Sequence, residues 1–320
     1  QYVAVDASVN YTQVSIGRSH TCALTSAGAV KCWGRDNYGQ VGNGGAINAN
    51  DYFSTPQELT SLGTGNKFVA TGTWFSCAIN SSDKLYCWGR NNARQVGDNT
   101  TTDRSAPVAI DSTNNYLKAA LADDNMCALR SDGKIYCWGS NGNGANGNAT
   151  TGGNQGTLYA NDAANTFIDL TMGDNHGCGL TNANKLRCWG VNGNGQLGDG
   201  STTQRTSPVS VDAATDYTSV RAGRVHTCGI TSSGGLRCTG NNAFGQLFDR
   251  TTEQATSFFD VAAGLTFSKI AAFEDSTWAQ TTGGEVYYGG GDLPFAFSGD
   301  GVSTMVRVAP QAIDDSRTFT

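Results

Sequence analysis

The chain has 320 residues and a formal net charge of −6, and only 15% of its residues are Asp, Glu, Lys or Arg. Its 42 glycines are nearly twice the usual share of about 7%, which favours many turns and short strands over long helices. The acidic balance argues against binding to nucleic acid, and the lack of any run of 18 apolar residues excludes a membrane-spanning helix.

The first predicted elements are an extended segment at residues 2–12 and a hairpin around the first two cysteines. Cys22 and Cys32 are ten residues apart, so we expect them to face each other across an antiparallel hairpin whose three-residue loop ends at Gly28. The last position of such a loop often needs a positive φ, which glycine adopts freely. The same spacing recurs in five cysteine pairs: Cys22 and Cys32, Cys77 and Cys87, Cys127 and Cys137, Cys178 and Cys188, and Cys228 and Cys238.

Further strands flank each hairpin. One precedes it, as at residues 217–223, and one follows after a loop, as at residues 107–111 and 208–212. Within the hairpin, apolar positions such as Leu24 and Val30 lie opposite each other, and we expect them to face the neighbouring sheet. The pattern predicts about four short strands in each repeat.

A sixth repeat follows the five that contain cysteines. Residues 278–288 match the hairpin column by column, with Trp278 and Tyr288 in the two cysteine positions. A period of about 50 residues predicts a solenoid, a propeller or an array, and four strands per repeat favour a β-propeller. We therefore predict an all-β fold, a single β-propeller domain over residues 1–320 with six four-stranded blades of about 51 residues each.

The cysteine spacing also indicates a compartment. Zinc sites usually need close C-x₂₋₄-C pairs, which the chain does not contain. Five local disulfides in an oxidising environment explain the pattern better. A start at Gln1 fits the processed end of a secreted protein, so we expect an extracellular location.

Three motifs resemble a known repeat family. They are C-W-G-R-D-N-Y-G-Q-V-G at residues 32–42, C-W-G-V-N-G-N-G-Q-L-G-D-G at residues 188–200, and G-R-V-H-T-C-G-I at residues 223–230. The pattern resembles the signature of the regulator of chromosome condensation repeat family over nearly the whole chain. This resemblance implies a propeller of four-stranded blades. The best-known members have seven blades, whereas this chain has six repeats.

The resemblance also implies a class of function. Members include a nucleotide-exchange factor for a small GTPase, ubiquitin-ligase substrate modules, a plant ultraviolet photoreceptor and a secreted β-lactamase inhibitor, and they share protein binding through the propeller faces and rims. The chain shows no Ser/His/Asp, Cys/His or phosphate-loop arrangement, so we expect no enzymatic activity and no cofactor. The first hypothesis is an extracellular scaffold, a self-assembling subunit of a surface assembly or filament. The alternative is a secreted inhibitor or module that binds proteins or glycans through one face.

One polar column is the candidate binding face. It lies two residues before the histidine column, and we expect it to line one propeller face near the axis, either as a binding surface or as a ring of solvated charges: Arg18, Asp123, Asp174, Arg224 and Glu274. The three histidines, His20, His176 and His226, occupy one column on different blades. This favours a structural bridge between strands over a metal site. No calcium-loop pattern occurs either, and we expect no metal.

Four N-x-[ST] sequons are candidate glycosylation sites: Asn10, Asn80, Asn99 and Asn148. Their number is what chance gives for this composition. In a secreted eukaryotic protein, surface glycans at these positions are consistent with the pattern. The other interpretation is that the segments are polar loops that keep the rim of the propeller soluble.

The two ends of the chain repeat one piece of the pattern. Residues 2–12 and 310–320 both align with residues 208–218, and a closed ring of six needs that piece once. We predict that one copy closes the ring, because a sealed edge leaves no unpaired strand groups. The other copy either folds back on its own propeller or adds to a neighbouring molecule, and such a head-to-tail contact would give a filament.

Overall fold

Twenty-four strands form six antiparallel sheets in the part of the chain that the computed structural model describes, residues 6, 8–160, 162–291 and 306–308. Each sheet takes its four strands in chain order. The fold is the predicted all-β propeller with six four-stranded blades. The single helix among the described residues is a 3₁₀ turn at Thr60–Leu62, and no described helix has the length and apolar character to cross a bilayer.

The first three blades occupy the amino-terminal half. Blade one comprises β1 (Tyr11–Ile16), β2 (His20–Thr25), β3 (Val30–Arg35) and β4 (Tyr52–Glu58). Blade two comprises β5 (Phe68–Thr71), β6 (Phe75–Ile79), β7 (Leu85–Gly89) and β8 (Arg104–Ala109). Blade three comprises β9 (Tyr116–Leu121), β10 (Asn125–Arg130), β11 (Ile135–Ser140) and β12 (Asn154–Ala160).

The other three blades follow the same plan. Blade four comprises β13 (Phe167–Met172), β14 (His176–Thr181), β15 (Leu186–Gly190) and β16 (Arg205–Val211). Blade five comprises β17 (Tyr217–Ala222), β18 (His226–Thr231), β19 (Leu236–Gly240) and β20 (Ala255–Val261). Blade six comprises β21 (Phe267–Phe273), β22 (Ser276–Thr281), β23 (Val286–Gly290) and β24 (Val306–Val308).

The hairpin of each blade has the register that the cysteine spacing predicts. In blade one, Cys22 pairs with Cys32 and Leu24 with Val30. The loop-ending column has positive φ in all six blades, from 61° to 88°, and consists of Gly28, Asp83, Gly133, Asn184, Gly234 and Gly284. Asp and Asn tolerate this left-handed conformation better than most residues with a side chain, which explains why the column accepts them.

All five predicted disulfides are present, and each joins two strands of one hairpin. Their ten cysteines are fully buried. The bond between Cys22 and Cys32 lies in the core between blades one and two, together with Val69 and Trp88 of blade two. In blades one to five, the outgoing face carries the cysteine pair, and in blades two to six the incoming face packs on the previous blade.

A buried tryptophan closes three of the joints between blades. Trp88, Trp138 and Trp189 are 0% exposed, and each indole Nε1 donates a hydrogen bond to a backbone carbonyl of the preceding blade at 2.8–3.0 Å. A glycine in that preceding loop makes room for the ring. A Cβ on Gly97, for example, would lie 2.4 Å from Trp138 Nε1.

The two later joints lack this tryptophan and compensate with phenylalanine. At the fourth joint, Thr239 replaces the tryptophan, and its hydroxyl donates to the Gly195 carbonyl at 2.9 Å, while the buried ring of Phe258 occupies the space beside it. At the fifth joint, Gly289 stands in the Trp column and Phe248 stands where the other loops have glycine, so the ring enters from the opposite side. The large and small partners have exchanged places, which keeps the joint filled.

We expect hydrogen exchange to be fastest in blade six. Trp278 and Tyr288 fill the positions of the cysteine pair as an edge-to-face ring contact, so this hairpin has no cross-link, and lower local stability gives faster exchange. Mass spectrometry should show faster exchange over residues 265–291 than over residues 215–241 of blade five. Equal protection of the two segments would contradict this prediction. The sequence extends the expectation to residues 292–305, which lie outside the described residues.

The predicted closure of the ring by the terminal strands also falls outside the described residues. It concerns residues 2–12 and 310–320, of which the structure describes only 6 and 8–12. The assignment of residues 1–320 to one domain stays a prediction for the same reason.

Candidate functional site

The inner strands of the six blades surround an axial channel. The channel holds a cavity of about 250 Å³, lined by the ends of β1, β5, β9, β13, β17 and β21 and by the turns that follow them. Four members of the predicted polar column, Arg18, Asp174, Arg224 and Glu274, belong to this lining. The fifth, Asp123, directly follows the lining residue Ala122. The structure thus brings the predicted column together at one channel mouth.

The mouth is acidic on the side of blades three to six. Burial, together with the nearby carboxylates of Glu274 and Asp123, raises the pKa of Asp174 to about 6. Arg224 offsets part of this negative charge, since its guanidinium lies 2.6 Å from Asp275 and 3.8 Å from Glu274. One basic side chain therefore faces several carboxylates on this half.

The side of blades one and two is basic and aromatic. The ring of Trp74 contacts two guanidinium groups, with Arg18 at 5.9 Å and Arg35 at 5.7 Å from the ring centroid. Tyr38 contacts Trp74 edge-to-face at 5.7 Å, and Arg90 lies 5.4 Å from the Tyr38 ring. We call these five residues the Trp74 cluster. Contacts of this kind are worth about 0.5–1 kcal/mol each at exposed sites.

Deeper in the channel, one carboxylate joins three blades. Asp169 of blade four forms ion pairs with Lys118 of blade three and with Arg221 of blade five, the latter at 2.9 Å. Burial lowers the pKa of Lys118, and the charge of Arg221 lowers it further, while the attraction of Asp169 opposes both effects. The three groups link adjacent inner strands and leave an excess of positive charge inside the channel.

The histidine column is structural, as predicted, but it links blades rather than strands of one sheet. The Nε2 atoms of His20, His176 and His226 lie 2.7–3.0 Å from a hydroxyl of the following blade. Burial lowers the pKa of His20 to about 4, so the ring is neutral at pH 7. Within the described ranges, no three His, Cys, Asp or Glu side chains lie together as metal ligands.

Comparison with known proteins identifies the repeat. Two models of the regulator of chromosome condensation (RCC1) repeat match the chain and together span residues 11–145 and 167–246. One matches residues 11–40, 67–95, 123–145, 167–196 and 217–246. The other matches residues 27–79, 82–129 and 186–230. The chain belongs to the regulator of chromosome condensation repeat family.

Relatives of this RCC1-repeat chain have diverse functions. The probable E3 ubiquitin-protein ligase HERC4 of Homo sapiens is 29% identical over 208 residues, which are 63% of this chain and 19% of the ligase. The ultraviolet-B receptor UVR8 of Arabidopsis thaliana is 29% identical over 218 residues, which are 63% of this chain and 46% of the receptor. The chain thus spans about a fifth of the ligase and less than half of the receptor.

A solved RCC1 propeller has the same fold. Yeast RCC1 (Prp20), in its complex with Kap60, superposes with a TM-score of 0.76 at 20% identity and covers 95% of this chain and 76% of the yeast chain. At this identity, the likeness concerns the fold alone.

Sequence reasoning found only one member of the Trp74 cluster, Arg18. The signal for the others was present in the RCC1 repeat columns. Trp74 occupies a column whose other members are small, polar or aliphatic: Ser19, Asp124, Asn175, Val225 and Asp275. Tyr38 stands in a turn column shared with Ala93, Asn143, Asn194 and Phe244. An aromatic residue in each of two turn columns whose other members are mostly small or polar is the pattern that indicates a surface site.

The four sequons differ in accessibility. Asn10 and Asn99 are exposed, whereas Asn80 and Asn148 are half-buried. The Oδ1 atom of Asn80 accepts hydrogen bonds from two turn amides, and that of Asn148 accepts one from Asn141 Nδ2 at 3.1 Å. Asn80 and Asn148 therefore hold loops of their repeats together, and Asn10 and Asn99 are the more accessible acceptors for a glycan. Glycosylation at all four stays a prediction.

Asp36 gives the fold a testable pH dependence. It occupies a column where four other repeats have asparagine, it is buried, and its Oδ1 accepts the Val41 amide at 2.7 Å. Burial raises its pKa from 3.8 to about 6, helped by the charge of Asp51 and opposed by the Val41 hydrogen bond. Because the folded pKa exceeds the unfolded one, the charged form destabilises the fold, and stability should fall as the pH rises from about 4 to about 6.

The matching variant is Asp36→Asn, which keeps the acceptor oxygen and removes the titration. Two pKa units correspond to about 3 kcal/mol, so at pH 7 the variant should be more stable by up to about that amount. Denaturant unfolding at pH 4 and pH 7 measures the difference. A stability gap between variant and wild type that is the same at both pH values would contradict the assignment.

Proposed function

We propose that this chain is a non-catalytic protein-binding module that acts outside the cell through the channel-mouth face. The observation that carries the proposal is the Trp74 cluster, where a half-buried tryptophan and tyrosine at the channel mouth contact each other and three guanidinium groups. Trp, Tyr and Arg are the residues most enriched among energetic hot spots of protein interfaces. A binder, unlike a passive scaffold, is expected to have such a cluster on one face.

The charges of this face favour an acidic partner segment. Among the described residues, Arg18 and Arg35 have no carboxylate within ion-pair distance, and both side chains are exposed. Arg90 reaches Asp124 only at 3.4 Å. A partner carboxylate placed between Arg18 and Arg35 would form charge-assisted hydrogen bonds while its neighbouring apolar groups pack on Trp74.

Two further observations support the proposal. The solved structure of yeast RCC1 shows that propeller with Kap60 bound, so a protein partner is consistent with the family. The five buried disulfides support an extracellular setting, since such bonds are rare in the reducing cytosol.

The test uses paired charge reversals. Arg18→Glu with Arg35→Glu removes the basic pair, and Arg250→Glu, an exposed arginine in a loop of blade five, is the matched control for the change in charge. Partners are captured from the native extracellular medium by cross-linking, and each candidate is then purified and titrated by calorimetry. We expect the double variant to bind at least tenfold more weakly and the control to bind normally. Equal binding by all three proteins would refute the proposal, and a partner that is a glycan would overturn the acidic-protein assignment.

A second candidate function is a self-assembling extracellular scaffold. The inter-blade face of blade one, which no other blade covers among the described residues and where Val14 and Ile16 are exposed, favours it. The terminal segments that repeat one piece of the sequence, residues 2–12 and 310–320, are the proposed means of strand exchange. Deleting residues 310–320 tests this mechanism: if the native protein is multimeric, the shortened one should assemble less, and unchanged assembly would exclude the terminal strand.

A further inference from the structure

Blade one has an incoming face that no other blade covers among the described residues. Val14 is 56% exposed and Ile16 is 63% exposed. The counterparts of Val14 in the other five blades are at most 9% exposed, because each packs on the previous blade: Val69, Ala119, Leu170, Val220 and Ile270. The same repeat position is therefore a core position five times and a surface position once.

The tryptophan column shows the same contrast. Trp88, Trp138 and Trp189 are fully buried and donate to a carbonyl of the previous blade. Trp33 is half-buried, contacts Tyr11 at 6.4 Å between ring centroids, and makes no corresponding bond to any described residue. Tyr11, Val14, Ile16 and Trp33 form an apolar surface with one unused indole donor, which we call the blade-one wall.

We propose that the blade-one wall is a docking site for a second copy of this chain. The proposal rests on the scaffold candidate for function and not on binding through the channel-mouth face. The wall has the composition of an inter-blade joint, so its matching surface is the outgoing face of another repeat of this kind.

Blade six supplies the outgoing face. In the first five blades, the leucine or isoleucine two residues after the first cysteine is at most 6% exposed, because the next blade covers it: Leu24, Ile79, Leu129, Leu180 and Ile230. The blade-six counterpart is Gln280, which is only half-buried, as are Trp278 and Val286. In the described structure β21 and β22 form no joint with β1 like those between successive blades. Contact between blade six of one copy and the wall of the next is head-to-tail, which extends assembly beyond a dimer unless the rotation closes.

The experiment compares aspartate substitutions of two isoleucines that are both more than half exposed. Ile16→Asp places a charge on the wall, whereas Ile168→Asp places it on β13, where Ile168 is 54% exposed in a blade with neighbours on both sides. A third variant, Trp33→Phe, removes the indole donor and keeps an aromatic ring. Each purified protein is analysed by sedimentation velocity over a concentration series, and peptide mapping checks that all five disulfides are intact.

We expect wild type and Ile168→Asp to associate with increasing concentration, Ile16→Asp to stay monomeric, and Trp33→Phe to associate several-fold more weakly. Monomeric wild type at every concentration would overturn the proposal, as would identical behaviour of the two aspartate variants. Hydrogen-exchange protection of β1 that does not depend on concentration would also overturn it, because the wall would then be covered from within one molecule. If deleting residues 310–320 leaves assembly intact while Ile16→Asp abolishes it, strand exchange through the terminus is refuted and docking at the blade-one wall is supported.

Discussion

Replacing Trp138 with alanine is expected to lower the free energy of unfolding by about 3–5 kcal/mol, the usual cost of removing a large buried aromatic side chain. The ring is fully buried in the joint between blades two and three. Its Nε1 donates to the Gln95 carbonyl at 3.0 Å, so the variant also leaves a buried acceptor without its donor. Gly97 cannot fill the space, because it has no side chain. Guanidinium unfolding followed by circular dichroism measures the change.

Trp33 provides the matched control in the same repeat column. Its ring is only half-buried and lacks the inter-blade hydrogen bond that Trp138 makes. Trp33→Ala should therefore cost less than half as much as Trp138→Ala in dilute solution, where any second copy has dissociated. Equal losses for the two variants would contradict the distinction between covered and uncovered blade faces.

The sequence predicts the local structure of this fold well because each position of the repeat occurs six times, and the six residues can be compared. A single Gly28 indicates little, but a column that contains only Gly, Asp and Asn requires a positive φ, and the structure has one in every blade. The cysteine spacing likewise fixes the hairpin register, since residues ten apart across a three-residue loop must be opposed. Both arguments concern groups close together in sequence, where the geometry of the backbone decides the outcome.

The sequence could not predict contacts that depend on how neighbouring blades meet. The Trp74 cluster combines Arg35 at the end of β3 and Tyr38 of the following loop with Trp74 of the next blade, and their proximity follows only from the ring geometry. The sequence could not predict the blade-one wall either, for the opposite reason. Val14 and Trp33 fit their columns as well as their buried counterparts do, so the sequence gives them the appearance of core residues. Only the three-dimensional arrangement shows that no described blade packs on these two residues.

Reduction of all five disulfides is expected to unfold the propeller. Each bond closes a short loop, for which the chain-entropy model gives about 2–3 kcal/mol. Five such contributions reach about 10–15 kcal/mol, comparable with the whole net stability of a typical protein of 5–15 kcal/mol. The native bonds should nevertheless resist mild reductant, because all ten cysteines are fully buried and thiol exchange needs access to a sulfur.

The measurement follows thiol release and circular dichroism together in reductant, with and without a denaturant concentration just below the unfolding midpoint. We expect thiols to appear only as the strand signal is lost, and the reduced, alkylated chain to stay unfolded after the denaturant is removed. A double variant, Cys127→Ala with Cys137→Ala, isolates one bond and should lose about 2–5 kcal/mol. Blade six supplies the internal comparison, since Trp278 and Tyr288 fill the same columns without a bond. A fully reduced chain that kept its propeller fold would show that packing between blades suffices, and it would remove the main physical argument for an oxidising compartment.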